Sequence, residues 1–262
     1  MQTVLLFLFI LLLSSLLYLF LHKKTRISFK YLFQDNLIVA VVSFFFSECI
    51  YAYSHVLTYA LTPFLILGFA FVAFMIRFWR TPHRQLTAKG NEIVSPADGK
   101  VIYIQKMMAN ETPISNKNNR LAILKELHKT DVLNEPCWVI GINMTPLDVH
   151  KNCAPIEGVV LLNEHTSGKF LSLKDPMAVK ENERNAIVIA NSTCTLGVVQ
   201  TASRLVRRID SYITVGQKVE KGQWFGMIRF GSQVDIILPT RATLQIKIGE
   251  QVYAKTTVIA VI

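Results

Sequence analysis

Apolar residues are spread unevenly along the 262-residue chain. From residue 4 to 21 only Ser14 and Ser15 interrupt a run of Leu, Phe, Ile, Val and Tyr. A run of about 18 or more such residues predicts a membrane-spanning helix. A cleaved signal peptide is the rival reading, but it needs a positive start and a small-residue cleavage site, and neither is evident. A second apolar block covers residues 37–53 and 57–78. Glu48 and His55 fall near its middle, where charge in hydrocarbon is costly. With Ser54 they are best placed at a turn, which predicts a helical hairpin over 37–78. Pro82 stops its second arm.

Past this block the hydrophobic period changes. Short β-branched runs recur at 101–104, 138–142, 158–162, 186–190, 195–201, 212–215, 225–230, 234–238, 243–248 and 256–261, separated by turn residues. One short helix is expected around 122–128. Gly216-Gln217-Lys218-Val219-Glu220-Lys221-Gly222-Gln223 and Gly249-Glu250-Gln251-Val252-Tyr253-Ala254-Lys255-Thr256 echo each other. Each reads as a Gly turn, a short extended piece, a second turn and then a strand. Many short strands with turn signals predict a β-sandwich or barrel-like domain. The expected organisation is a membrane anchor over 1–84, with transmembrane or interfacial α-helices, and a mainly β domain over 85–262.

Charge sharpens the picture of the anchor. The formal net charge is +10, which admits nucleic acid or anionic lipid as partner. No nucleic-acid signature accompanies it, and the apolar spans favour lipid. His22-Lys23-Lys24-Thr25-Arg26 and Arg77-Phe78-Trp79-Arg80-Thr81-Pro82-His83-Arg84 flank the apolar blocks. The positive-inside rule puts both clusters, and the β domain, in the cytoplasm. Cys49, Cys137, Cys153 and Cys194 form no CxxC pair, so neither a metal site nor a disulfide framework is expected. Cys137 and Cys194 lie in strand-like runs and read as core; His128 and His165 read as surface residues.

Candidate chemistry centres on Arg229-Phe230-Gly231-Ser232-Gln233-Val234-Asp235. A Gly-Ser pair inside a strand-like stretch marks a bulge or a close backbone approach. Two other segments keep it company: Ser95-Pro96-Ala97-Asp98-Gly99-Lys100-Val101 and Pro146-Leu147-Asp148-Val149-His150-Lys151-Asn152. A Ser, a His and an Asp far apart in sequence are the ingredients of a base-activated nucleophile. Taken alone, Asp98-Gly99 is an ordinary turn pair and His150 a histidine in a proline-containing loop.

Together with Glu181-Asn182-Glu183-Arg184-Asn185, these segments resemble the short, membrane-anchored form of phosphatidylserine decarboxylase, from about Phe78 to the C-terminus. The resemblance implies a zymogen that cuts its own Gly231–Ser232 bond. Ser232 would attack the Gly231 carbonyl, with His150 as base and Asp98 holding the imidazole tautomer. Elimination from the resulting ester would leave a pyruvoyl group at 232. Its ketone would form a Schiff base with the amine of an anionic serine phospholipid, and His150 would return a proton after carbon dioxide leaves. The two products of the cut, 1–231 and 232–262, would stay together as a heterodimer in the cell (inner) membrane. Longer members of the family carry a second histidine three residues after the first; here that position is Cys153. Met144 and Cys153 are weaker candidates for contacting the headgroup.

Three alternatives stand beside this reading. One is a decarboxylase of another serine phospholipid, such as archaetidylserine. Another is a membrane-anchored carrier or adaptor with a biotinyl/lipoyl-like sandwich; neither Lys221 nor Lys255 has the context of a carrier lysine. The third, a membrane serine protease, would want a nucleophile elbow, which Ser232 lacks.

Overall fold

The structure is a computed structural model that describes residues 2–25, 29–117, 120–167, 183–202, 208–229 and 232–262. Gly231, expected to supply the carbonyl at the cut, lies outside the described residues, as do Glu181 and Asn182. The chain forms two compact units, 1–80 and 81–262.

The first unit is three helices: α1 (Gln2–Thr25), α2 (Phe29–Tyr51) and α3 (His55–Trp79). All three are long and apolar enough to cross a membrane. Leu6, Ile10, Val39, Ala40 and Ile66 are buried between them, while Leu5, Leu12, Phe45, Phe64 and Phe71 face outward. An outer surface this apolar suits lipid rather than water. The turn between α2 and α3 falls at Ala52–Ser54, where the sequence puts it. There the Ser54 hydroxyl caps α3 by accepting from the Leu57 amide at 3.3 Å, satisfying one of the helix's orphan donors. Small polar groups link the arms: Ser47 and Thr62 share a hydrogen bond of 2.9 Å, and Arg77 of α3 is ion-paired to Asp35 of α2.

In the second unit the strands are, in chain order, β1 (Glu92–Val94), β2 (Gly99–Met107), β3 (Ile114–Lys117), β4 (Arg120–Ile123), β5 (Cys137–Met144), β6 (Lys151–Cys153), β7 (Gly158–Thr166) and β8 (Arg184–Ala190). They continue with β9 (Thr195–Ala202), β10 (Arg208–Ser211), β11 (Lys218–Val219), β12 (Trp224–Arg229), β13 (Ser232–Pro239), β14 (Thr243–Leu244), β15 (Gln251–Val252) and β16 (Val258–Val261). A curled eight-stranded antiparallel sheet has the order β11-β7-β8-β9-β13-β5-β2-β15. Two three-stranded sheets, β10-β12-β6 and β1-β16-β14, accompany it.

Both faces of the large sheet are covered. Ile140, Ile142, Val198, Val234, Ile236 and Leu238 pack on one side with Phe225 and Ile228 of β12 and Ile259 of β16. Val139, Val188, Val199 and Ile237 pack on the other with Leu124, Leu127 and Leu133. β13 lies between β9 and β5 and is bonded to both along its length. Its near-continuous Val-Asp-Ile-Ile-Leu run is what a strand buried on both faces requires.

Three local expectations are corrected. Residues 122–128 do not form one helix: Arg120–Ile123 pairs with Ile114–Lys117, and a 3-10 turn covers Lys125–Lys129. So short a segment cannot repay helix nucleation by itself, and strand pairing prevails. The run 212–215 is loop, with the neighbouring strand at Arg208–Ser211. Of 243–248 only Thr243–Leu244 forms strand, with the Gln245 amide still donating to the Ile259 carbonyl at 2.9 Å.

Candidate active site

Two connections meet around the start of β13 at Ser232. The first is the loop Thr145–Val149, which leaves β5 at Met144 and returns through His150 to β6. Asp148 shapes it: its Oδ2 accepts from the Thr145 amide at 2.6 Å, and its own amide donates to the Thr145 carbonyl at 3.0 Å. The second is the passage from β12 to β13. Ser232 stands opposite Met144 in the sheet register, while the Ile228 amide donates to the His150 carbonyl at 3.1 Å. The strand entering the expected cut and the strand leaving it are thus tied to opposite ends of one loop. This follows from β5 pairing with β13 and β6 pairing with β12.

His150 is fully buried. Its Nδ1 lies 2.9 Å from the carbonyl oxygen of Asp148. A carbonyl can only accept, so Nδ1 carries the proton and, in the neutral ring, Nε2 bears the lone pair. The family resemblance implies that Asp98 holds this tautomer. Among the described contacts, the Asp148 carbonyl meets the ring, and Asp98 acts one residue away.

Asp98 is buried at the centre of a knot. Its Oδ1 accepts from the Ala254 amide at 2.8 Å, and its Oδ2 accepts, at a long 3.4 Å, from the Val149 amide beside His150. Arg84 grips both oxygens, at 2.5 and 2.7 Å, and also donates to the Ala254 carbonyl at 2.9 Å. Burial alone would lower the Arg84 pKa; the hydrogen bond and charge of Asp98 more than offset it and raise it. Gly99 lets this turn approach β5: a Cβ there would stand 2.5 Å from the Asn143 carbonyl oxygen.

Met144 and Cys153 are both buried. Cys153 sits beneath the Asp98 turn with its Sγ donating to the Ser95 carbonyl at 3.4 Å. Burial pushes its thiol up to about 12, so it keeps its proton at ordinary pH. Cys137 and Cys194 are buried as expected, while His128 bonds Thr112 and His165 bonds Glu183 near the surface.

Several partnerships leave no signal in the sequence. There, Arg84 belongs only to a basic cluster. Arg184 is buried and bonded to Glu126, with its Nε at 2.9 Å, where Thr166 also donates at 2.7 Å. A chain of amides runs beneath the site: Gln200 donates to Asn152 at 2.8 Å, and Asn185 donates to Gln200 at 3.3 Å and to Asn163 at 3.0 Å. On the opposite face Tyr103 donates to Asp235, which also accepts from Gln233 at 3.0 Å. Such polar groups are buried only because they satisfy one another. Lys221 is buried too, its ammonium donating to the carbonyls of Lys89 and Gly90 at 2.5 and 3.0 Å. That is no place for a carrier lysine. Among the described residues no cluster of His, Cys, Asp and Glu is arranged to hold a metal.

Comparison with known proteins agrees with this architecture. The family model for phosphatidylserine decarboxylase matches residues 71–260. A relative from Methanocaldococcus jannaschii, named as an archaetidylserine decarboxylase proenzyme, is 39% identical over 198 residues, covering 76% of this chain and 94% of its own. Phosphatidylserine decarboxylase proenzymes of Prosthecochloris aestuarii and Burkholderia ambifaria are 36% and 34% identical, each over 76% of this chain and over 82% and 81% of their own. The matched span holds all three segments that build the site, and the chain therefore belongs to the phosphatidylserine decarboxylase family and is a decarboxylase.

Proposed function

We propose that this chain decarboxylates phosphatidylserine to phosphatidylethanolamine after cutting itself between Gly231 and Ser232. The observation that carries the reading is the bracketing of that bond: β12 and β13, on its two sides, are held by the two ends of the His150 loop. Proenzyme names among the relatives are consistent with self-processing.

In this reading Ser232 is the nucleophile. His150, with its lone pair on Nε2, takes the hydroxyl proton. The same nitrogen later holds the proton that quenches the headgroup carbon. Asp98 fixes the loop through the Val149 amide, and Arg84 fixes Asp98.

A pyruvoyl group derived from Ser232 fits the position. When present, it supplies a carbonyl that accepts the electrons released as carbon dioxide departs. Position 232 begins the strand that is paired on both sides, so the group would be anchored on a rigid element. The cut would also leave the pieces assembled. Residues 232–262 contribute β13, paired to β5 and β9; β15, paired to β2; and β16, paired to β1. A heterodimer of the chain's own two products follows.

The apolar helices and basic clusters support a membrane protein whose β domain lies on the cytoplasmic side, where the headgroup of an anionic lipid would be presented. A second reading, archaetidylserine as substrate, is favoured by the name of the Methanocaldococcus relative. The test is to incubate purified full-length protein with vesicles carrying either lipid and to read the product lipid by mass spectrometry. Conversion of phosphatidylserine, absent in Ser232→Ala, is expected. Conversion of archaetidylserine alone would install the second reading. Conversion of neither by a properly folded chain would overturn both.

A further inference from the structure

Beside the His150 loop lies the edge of the eight-stranded sheet formed by β2 and β15. The turn Lys247–Glu250 closes against β2: the Gly249 amide donates to the Val101 carbonyl at 2.8 Å, and the Val101 amide to the Glu250 carbonyl at 2.9 Å. Gly249 makes the turn possible with a φ of +90°. Three exposed apolar residues flank this pairing: Ile102 follows Val101 on β2, Ile248 precedes Gly249 in the turn and Tyr253 follows β15; they are 37%, 61% and 48% exposed, and the Arg84 guanidinium lies 5.9 Å from the Tyr253 ring centroid. Lys100 and Lys247 are exposed among them, and among the described residues neither has an ion-pair partner. The two carboxylates of the rim are turned onto their own surroundings. Glu250 accepts from the Lys247 amide at 3.1 Å; Asp148 accepts from Thr145 and, at 3.3 Å, from the Gln251 amide group. What faces outward is apolar and cationic.

The rim is continuous with the site. Gln251 reaches the loop that carries His150, and the Ala254 amide bonds Asp98. Single exposed apolar residues need no explanation, whereas a cluster rimmed by polar groups marks an interaction surface. Large apolar side chains mixed with Lys are the composition that seats a protein surface on anionic headgroups.

We propose that the rim Lys100, Ile102, Lys247, Ile248 and Tyr253 docks onto an anionic bilayer surface and presents the His150 loop to lipid headgroups. The proposal rests on the lipid decarboxylase reading above. Three helices long and apolar enough to span a membrane would already hold the chain there. Docking by the rim adds orientation, turning the catalytic loop toward the plane in which the substrate lies.

The experiment uses full-length protein reconstituted into neutral-lipid vesicles with phosphatidylserine as the anionic component. Wild type is compared with Lys247→Glu/Ile248→Glu, a pair outside the proposed catalytic machinery. Three quantities are read: self-cleavage by intact mass, turnover of bilayer phosphatidylserine, and turnover of short-chain phosphatidylserine dispersed as monomers. The expected result is intact cleavage and short-chain turnover, with bilayer turnover about tenfold lower through a higher apparent KM. That tenfold loss corresponds to about 1.4 kcal/mol of lost interaction. The wild-type advantage on bilayers should also shrink as salt is raised. Equal bilayer turnover in both proteins would overturn the proposal, and so would equal losses on bilayer and dispersed substrate. Failure of wild type on the short-chain lipid would instead count against the decarboxylase reading itself.

Discussion

Arg84 and Asp98 face each other as a two-pronged ion pair, with the guanidinium nitrogens 2.5 and 2.7 Å from the two carboxylate oxygens. The Arg84 side chain is 15% exposed and that of Asp98 3%. Asp98 also holds the Val149 amide, so the guanidinium acts on the His150 loop through one intermediary. Removing one partner strands a buried charge, which costs roughly 3–5 kcal/mol. Arg84→Gln should therefore lower unfolding stability by that order and slow self-cleavage tenfold or more. Arg84→Lys keeps the charge without the fork and should fall between. Added guanidinium should restore part of the cleavage rate in Arg84→Ala. A cleavage time course with and without guanidinium checks this; an unaltered rate in Arg84→Gln would remove Arg84 from the account.

Cys153 gives a pH-dependent prediction. Burial raises its thiol from 9.0 to about 12. The folded state thus keeps a proton that the unfolded state loses above pH 9. The associated stability is complete below that pH and is lost as pH rises toward 12, at up to about 1.4 kcal/mol per pH unit. Cys137, raised to about 11, adds a slope of the same sign. Denaturation at pH 8 and pH 10.5 should show a smaller alkaline loss in Cys153→Ala than in wild type. Self-cleavage should survive the substitution, because a buried thiol that keeps its proton at working pH cannot act as the base.

Glu126 points the other way. Burial by itself would raise its pKa, but hydrogen bonds from Arg184 and Thr166 pull it below the usual carboxylate range. Its contribution is present above the ordinary Glu pKa and is lost as pH falls through the lowered one. Glu126→Gln should flatten the acid side of the stability profile. Arg184→Met, which leaves the carboxylate unpaired, should cost roughly 3–5 kcal/mol. Urea midpoints at pH 7 and pH 4 for the three proteins measure both effects.

The sequence disclosed those features whose causes are local. Gly216 and Gly249 announced two turns, and both sit at positive φ, 85° and 90°. Each is followed by a two-residue strand, β11 or β15, and by a second turn, as the paired motifs suggested. The long apolar helices were legible because about 20 apolar residues have few alternatives. The pairing of Arg84 with Asp98 was not. Arg84 meets Ala254 across 170 positions of sequence, and nothing near Arg84 signals that partner. The Asp148 contact to the imidazole was not legible for a related reason. It depends on a backbone carbonyl, that of Asp148, and a carbonyl leaves no mark in the sequence. The run 212–215 has strand composition but leads into the Gly216 turn, and Val215 is exposed there.

The central claim, self-cleavage at Gly231–Ser232, is tested most directly by intact mass of purified wild type beside Ser232→Ala and His150→Ala. Wild type should resolve into a chain ending at Gly231 and a chain of residues 232–262 whose first residue is a pyruvoyl group and not a serine. Ser232→Ala should remain whole. His150→Ala should cleave roughly 10²–10⁴-fold more slowly, the usual contribution of a general base. A folded wild-type protein that stays whole, or one that yields an unmodified Ser232 amine, would contradict the account.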